Sequence, residues 1–84
     1  MTSEMIEKFI DSKGRKDMAV NIHFKERSTV TGVFIRMSDY SELKTKNFWR
    51  IVSHGKIEEW KKTKNMDLAR IFNGLSFTRL TDEQ

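Results

Sequence analysis

Between Lys44 and Lys64 seven basic side chains (Lys44, Lys46, Arg50, Lys56, Lys61, Lys62 and Lys64) stand against Glu58 and Glu59, and the same stretch carries Phe48, Trp49 and Trp60. Cations interleaved with flat rings are what a single-stranded nucleic-acid surface needs. The charge meets phosphates, and the rings stack bases at roughly 1–3 kcal/mol each. A solvated face of lysines above a core that has taken the tryptophans reads the same way, because lysine is rarely buried and large aromatics usually are. Strand alternation puts Trp49 and Ile51 on one face and Phe48, Arg50 and Val52 on the other, so at least one aromatic there must be buried. Trp60, between Glu59 and Lys61 with Ile57 as its apolar neighbour, is the better candidate of the two for an exposed stacking or partner-contact ring, and covering an open end of the barrel is an equally ordinary use for it. Lys44, Lys46, Trp60, Lys61, Lys62 and Lys64 form the candidate binding set.

Catalytic chemistry has no comparable cluster. His23 and His54 are far apart, and neither belongs to a metal-ligand spacing. His23 falls on the solvent face of a strand. The adjacent Glu58 and Glu59 point in different directions on any regular element, so no metal site with His54 is expected. There is no glycine-rich phosphate loop and no G-x-S-x-G elbow. With no cysteine, thiolate catalysis and Cys-ligated zinc are excluded. The expectation is a non-enzymatic protein without metal or cofactor.

The elements that must position these residues belong to one short chain. Eighty-four residues with no proline and four glycines leave room for a single domain, residues 1–84. A chain this size buries only about 60–65% of its unfolded surface, too little for a deep layered cleft, so binding is favoured over catalysis. The net charge of +4 permits acidic partners. The N-terminal stretch has no apolar run of signal-peptide or membrane-spanning length, which predicts a soluble cytoplasmic protein that does not enter a membrane.

Met5, Ile6, Phe9 and Ile10 fall on one stripe of a helix over about residues 3–13. Thr2 or Ser3 caps it, Lys13 sits in its last turn, and Gly14 is placed for the C′ position. The period then drops to two. Met18, Val20, Ile22 and Phe24 alternate with polar residues, and Glu26 to Thr29 turn the chain. Val30 to Met37 is apolar on both faces with Gly32 inside, as in a central strand that bends and is covered on both sides. Ser38 to Lys46 reads as a loop and Phe48 to Val52 as a third strand. Residues 55–64 favour one or two helical turns over a hairpin arm, since Ile57 and Trp60 are three apart and Glu58 precedes Lys62 by four. Met66 to Phe72 and Leu75 to Leu80 read as strands parted by Asn73-Gly74, a pair that readily takes positive φ, and the tail from Thr81 to Gln84 frays. One helix and five short strands predict a mainly β fold, a strongly bent SH3-like barrel over about residues 17–80.

Val20-x-Ile22-x-Phe24, Val30-x-Gly32-x-Phe34 and Asp39-Tyr40 together resemble the first motif of Sm-like proteins, the family that includes the Hfq-like bacterial RNA chaperones. Phe72-Asn73-Gly74-x-x-Phe77-x-x-Leu80 has the spacing of the second motif. The resemblance runs from Glu4 to Leu80. It departs at Asp39, one residue late after Gly32, at Asn73 where a basic residue is usual, and in the longer, more charged connection from Trp49 to Met66. It implies a homo-oligomeric ring closed by the strands flanking Asn73-Gly74, with single-stranded RNA as partner. Tyr40 and Asn73 then become RNA-contacting positions. From another class, the same barrel would serve as an interaction or scaffold module that holds an acidic protein partner on Trp60 and the lysines.

Overall fold

The computed structural model describes residues 1–11 and 18–82. Its first helix, α1 (Ser3–Asp11), buries Ile6 and Ile10, half-buries Phe9 and leaves Met5 exposed. Thr2 caps it, its hydroxyl accepting from the Met5 amide at 3.2 Å. Lys13 and Gly14, expected to end this helix, lie outside the described residues, as do Glu83 and Gln84 of the tail.

Five antiparallel strands follow: β1 (Val20–Phe24), β2 (Val30–Phe34), β3 (Phe48–Ser53), β4 (Ala69–Asn73) and β5 (Phe77–Asp82). Their order in the sheet is β4-β3-β2-β1-β5. The two edge strands do not pair with each other among the described residues, so the sheet is open and not a closed barrel. Val20, Ile22, Phe34, Trp49, Ile51, Phe77 and Leu80 meet Ile6 and Ile10 in one core. At one end of that core the Phe24 ring touches Phe72 of β4 and Phe77 of β5, with centroids 5.8 and 5.2 Å away. Met18, expected to open β1 facing inward, lies outside the strand and is exposed.

The apolar second face of β2 has its cover. Val33 pairs with Val52 on the side away from the main core, and α3 (Ile57–Thr63) lays Trp60 there. The helical reading of residues 55–64 holds, with a 3₁₀ turn at His54–Lys56 leading in. Gly32 is needed for close approach: a Cβ there would stand 2.6 Å from the Val52 carbonyl oxygen and 2.8 Å from Ile51 Cγ2.

Three expectations are corrected. Ser38 to Lys46 is not all loop, because α2 (Tyr40–Thr45) forms within it. Tyr40 and Leu43, three apart, are half-buried on one side, and the Ser3 hydroxyl donates to the Lys44 carbonyl at 2.7 Å, satisfying one of the carbonyls a short helix leaves open. Met66–Leu68 is a 3₁₀ turn capped by Asn65, so β4 begins only at Ala69. Asn73 keeps φ at −85°, and Gly74–Ser76 makes another 3₁₀ turn between strands that part to opposite edges.

Positive φ falls instead at Asn47 (61°) and Lys64 (54°). Asn47 is a hub: its Oδ1 accepts from Trp49 Nε1, its carbonyl from the Gly74 amide, and its Nδ2 donates to the Met1 carbonyl, each at 2.8 Å. Among the described residues no helix is long and apolar enough to cross a membrane.

Candidate nucleic-acid interface

Tyr40 begins α2 with its ring edge-on to Trp49, centroids 6.0 Å apart. The Arg36 guanidinium and Lys44 ammonium lie over that ring at 5.3 and 5.7 Å. Its hydroxyl is shielded from solvent and has no hydrogen-bond partner among the described residues. Tyr40, expected to offer a base-contacting ring, is half-buried and packs between these cations and the core. Lys44 is committed too: its Nζ donates to Glu7 Oε2 at 2.7 Å, tying α2 to α1. Arg36 pairs with Asp11 alongside. Arg50 forks onto Asp39 at 3.1 and 2.9 Å, and Lys46 approaches Glu42 at 3.9 Å with both side chains mostly exposed. That last pair is a weak surface contact which a phosphate can replace.

Burial pushes the Tyr40 pKa above its ordinary value, against the opposing field of Arg36. The hydrogen bond to Glu7 likewise raises that of Lys44. Both shifts act in one direction. Above about pH 10 the unfolded chain loses the tyrosine proton before the folded one does, and the unfolded lysine similarly loses its charge first. The stability tied to both groups is complete below that pH and is lost as pH climbs through the raised folded values. Tyr40→Phe removes a shielded hydroxyl that has no hydrogen-bond partner among the described residues, so it is expected to be neutral or to stabilise by up to about 1 kcal/mol at pH 7, read by urea titration. It should also blunt the alkaline loss. Because Tyr40 is the only tyrosine, tyrosinate absorbance follows this group directly, and a midpoint at the ordinary tyrosine value would contradict its burial.

Trp60 is buried at 6% exposure, so of its two expected uses the exposed ring is overturned and a covering role remains, here over the outer face of β2 and not at a barrel end. The lysines around it stay outside. Lys56, Lys61, Lys62 and Lys64 are all exposed and form no ion pair among the described residues, and the Lys64 ammonium stands 5.6 Å over the Trp60 ring. Lys64 itself is the left-handed cap of α3. Asn73 is exposed, opposite Phe48 in the sheet, with its Oδ1 accepting from the Leu75 amide at 2.9 Å.

The predicted residues therefore form two groups. Tyr40, Lys44, Lys46 and Asn73 gather near Asn47, where α2 and the Gly74 turn meet. Lys61 and Lys64 lie beside Trp60 on the outer face of β2, and Lys62 is exposed on the same helix. His23 bridges Thr81 and Thr29, each 3.2 Å from one ring nitrogen. Among the described residues no three His, Asp or Glu side chains gather as a metal site.

One residue that sequence reasoning missed is Arg27. It is exposed in the β1 to β2 turn, with its guanidinium over Phe24 at 5.1 Å and Phe72 at 5.6 Å. Nothing local signals this, because Phe72 is supplied by β4. Comparison of the chain with protein-family models, curated proteins and solved structures found no match.

Proposed function

We propose that this chain is a small Sm-like barrel that assembles into a homo-oligomeric ring and binds single-stranded RNA without catalysing a reaction. The observation that carries the reading is the strand order β4-β3-β2-β1-β5, in which the strands of the second glycine motif become the two open edges. Unpaired edges are templates for another chain, and a β4 edge meeting the β5 edge of the next copy is a heterologous contact that closes as a ring. Exposed Ile71, 52% accessible on the β4 edge, supplies apolar surface for such a contact. Both motif glycines sit where a Cβ would collide, and Phe24 draws β4 and β5 toward β1, which supports a curled, barrel-like sheet.

RNA would be held by charge. Lys46, Lys61, Lys62 and Lys64 are exposed, while Trp60 is buried and Tyr40 is half-buried against Trp49, so charge supplies most of the binding, which is tolerant of sequence. The second reading, a module for an acidic protein partner, is favoured by the free lysines on α3 around an already covered Trp60.

Light scattering and fluorescence anisotropy test both. The expected results are a solution mass several times that of the chain, and affinity for a single-stranded RNA that weakens with salt at a slope of about −0.7 per phosphate neutralised. A monomer would count against the ring. No RNA binding at low salt, together with capture of an acidic peptide, would transfer the assignment to the second reading.

A further inference from the structure

Phe24, Lys25, Glu26 and Arg27 form one wall of an open groove of about 480 Å³ whose opposite wall is Leu75 and Ser76. We propose that this groove is a nucleotide subsite in which a base of single-stranded RNA stacks on the Arg27 guanidinium and Lys25 takes the adjoining phosphate. The inference rests on the RNA reading and names where a base is held when Trp60 is buried and Tyr40 is half-buried against Trp49.

Arg27 is built differently from the other cations around the sheet. Arg36 and Arg50 are spent on Asp11 and Asp39. Arg27 has no carboxylate partner among the described residues, although Glu26 is its neighbour in the chain. Its guanidinium carbon lies over two phenyl rings while the residue stays exposed, so the group is held at one place at little cost in rotamer freedom. Unstacked RNA bases use such a plane: they stack on aromatic rings or on arginine guanidinium groups.

The remaining walls suit the rest of a nucleotide. Lys25 brings a second cation with no ion pair among the described residues, and its amide is fixed by the Ser76 carbonyl at 3.1 Å, which joins the two walls. Leu75 is 62% exposed, an apolar edge for a base or ribose to cover. Glu26 accepts hydrogen bonds from a ribose hydroxyl or an exocyclic amine and repels phosphate, which leaves the phosphate to Lys25. The volume lies within the range of about 300–1,000 Å³ usual for small-ligand sites. An acidic peptide would use the cations alone and leave the stacking plane and Leu75 unused.

Titration of the full chain with adenosine monophosphate, and in parallel with inorganic phosphate, followed by NMR, separates stacking from charge. The nucleotide is expected to shift the Arg27 side chain and the Phe24 and Phe72 ring protons. Phosphate should move the Lys25 and Arg27 signals without the ring-current change. Equal shifts from both, or shifts confined to the α3 lysines, overturn the subsite. In anisotropy with single-stranded RNA, Arg27→Ala is expected to lower affinity about tenfold, with only a small drop in melting from the loss of its contacts with Phe24 and Phe72. Arg27→Lys, which keeps the charge and loses the plane, should lose nearly as much. If wild-type protein binds RNA and both variants bind equally well, the subsite falls and the RNA reading stands. If wild type binds none, the RNA reading falls and takes the subsite with it.

Discussion

Replacing Gly74 by alanine is expected to remove about 3–5 kcal/mol of stability, a large part of the roughly 4–12 kcal/mol available to a chain of this size. The added Cβ would overlap the Asn47 side-chain oxygen and stand 2.6 Å from Ile6 Cδ1, in a site already fully buried. Moving the Asn47 amide breaks its bond to the Trp49 indole, and moving Ile6 opens α1 from the core. No single neighbour can yield without loss. The melting temperature should fall by roughly 15 °C or more. Gly55→Ala is the control: nothing lies within 4 Å of its Cβ position and its backbone is not left-handed, so it should be neutral or slightly stabilising. Equal melting of the two variants would contradict the packing described around Asn47.

Trp60→Ala should cost about 3–5 kcal/mol, because it strips the one buried residue by which α3 covers Val33 and Val52. Circular dichroism should show helix lost along with stability. Trp60→Phe keeps much of the cover and is expected to cost less, about 1–2 kcal/mol. The pair also decides between packing and contact. A buried ring predicts that Trp60→Phe leaves RNA affinity within about twofold of wild type, since no base stacks on it. An affinity loss at unchanged stability would return Trp60 to the binding surface.

Much of the fold was legible because it is written in short-range pattern. Val20, Ile22 and Phe24 alternate, and they line the core. The double-faced run at Val33 and Phe34 called for covers on two sides, and it has α1 below and α3 above. What was hidden depends on distant partners. Trp60 has one apolar neighbour in sequence, yet its burial is decided by β2 and β3, well before it in the chain. The helix at Tyr40–Thr45 was masked by polar composition, and the contacts that favour it come from Trp49 and Ser3. The segment from Lys44 to Lys64 is legibly basic, but composition does not tell a cation that faces solvent from one spent on an acid. Lys61 and Lys62 are the first kind, Lys44 and Arg50 the second. Arg27 and Phe72 are joined only by the curl of the sheet.

The pairing of β1 with β5 also sets an order of events during synthesis. Val20 finds its partner in Asp82 and Phe24 in Phe77, so β1 emerges from the ribosome roughly fifty to sixty residues before the strand that completes it. Until then the β1 to β2 hairpin presents Ile22 and Phe24 with one flank unpaired. Closure therefore waits on a long loop, the kind of non-local step that slows folding, and during that interval the nascent chain offers a neighbouring ribosome's product the same unpaired flank that β5 later occupies.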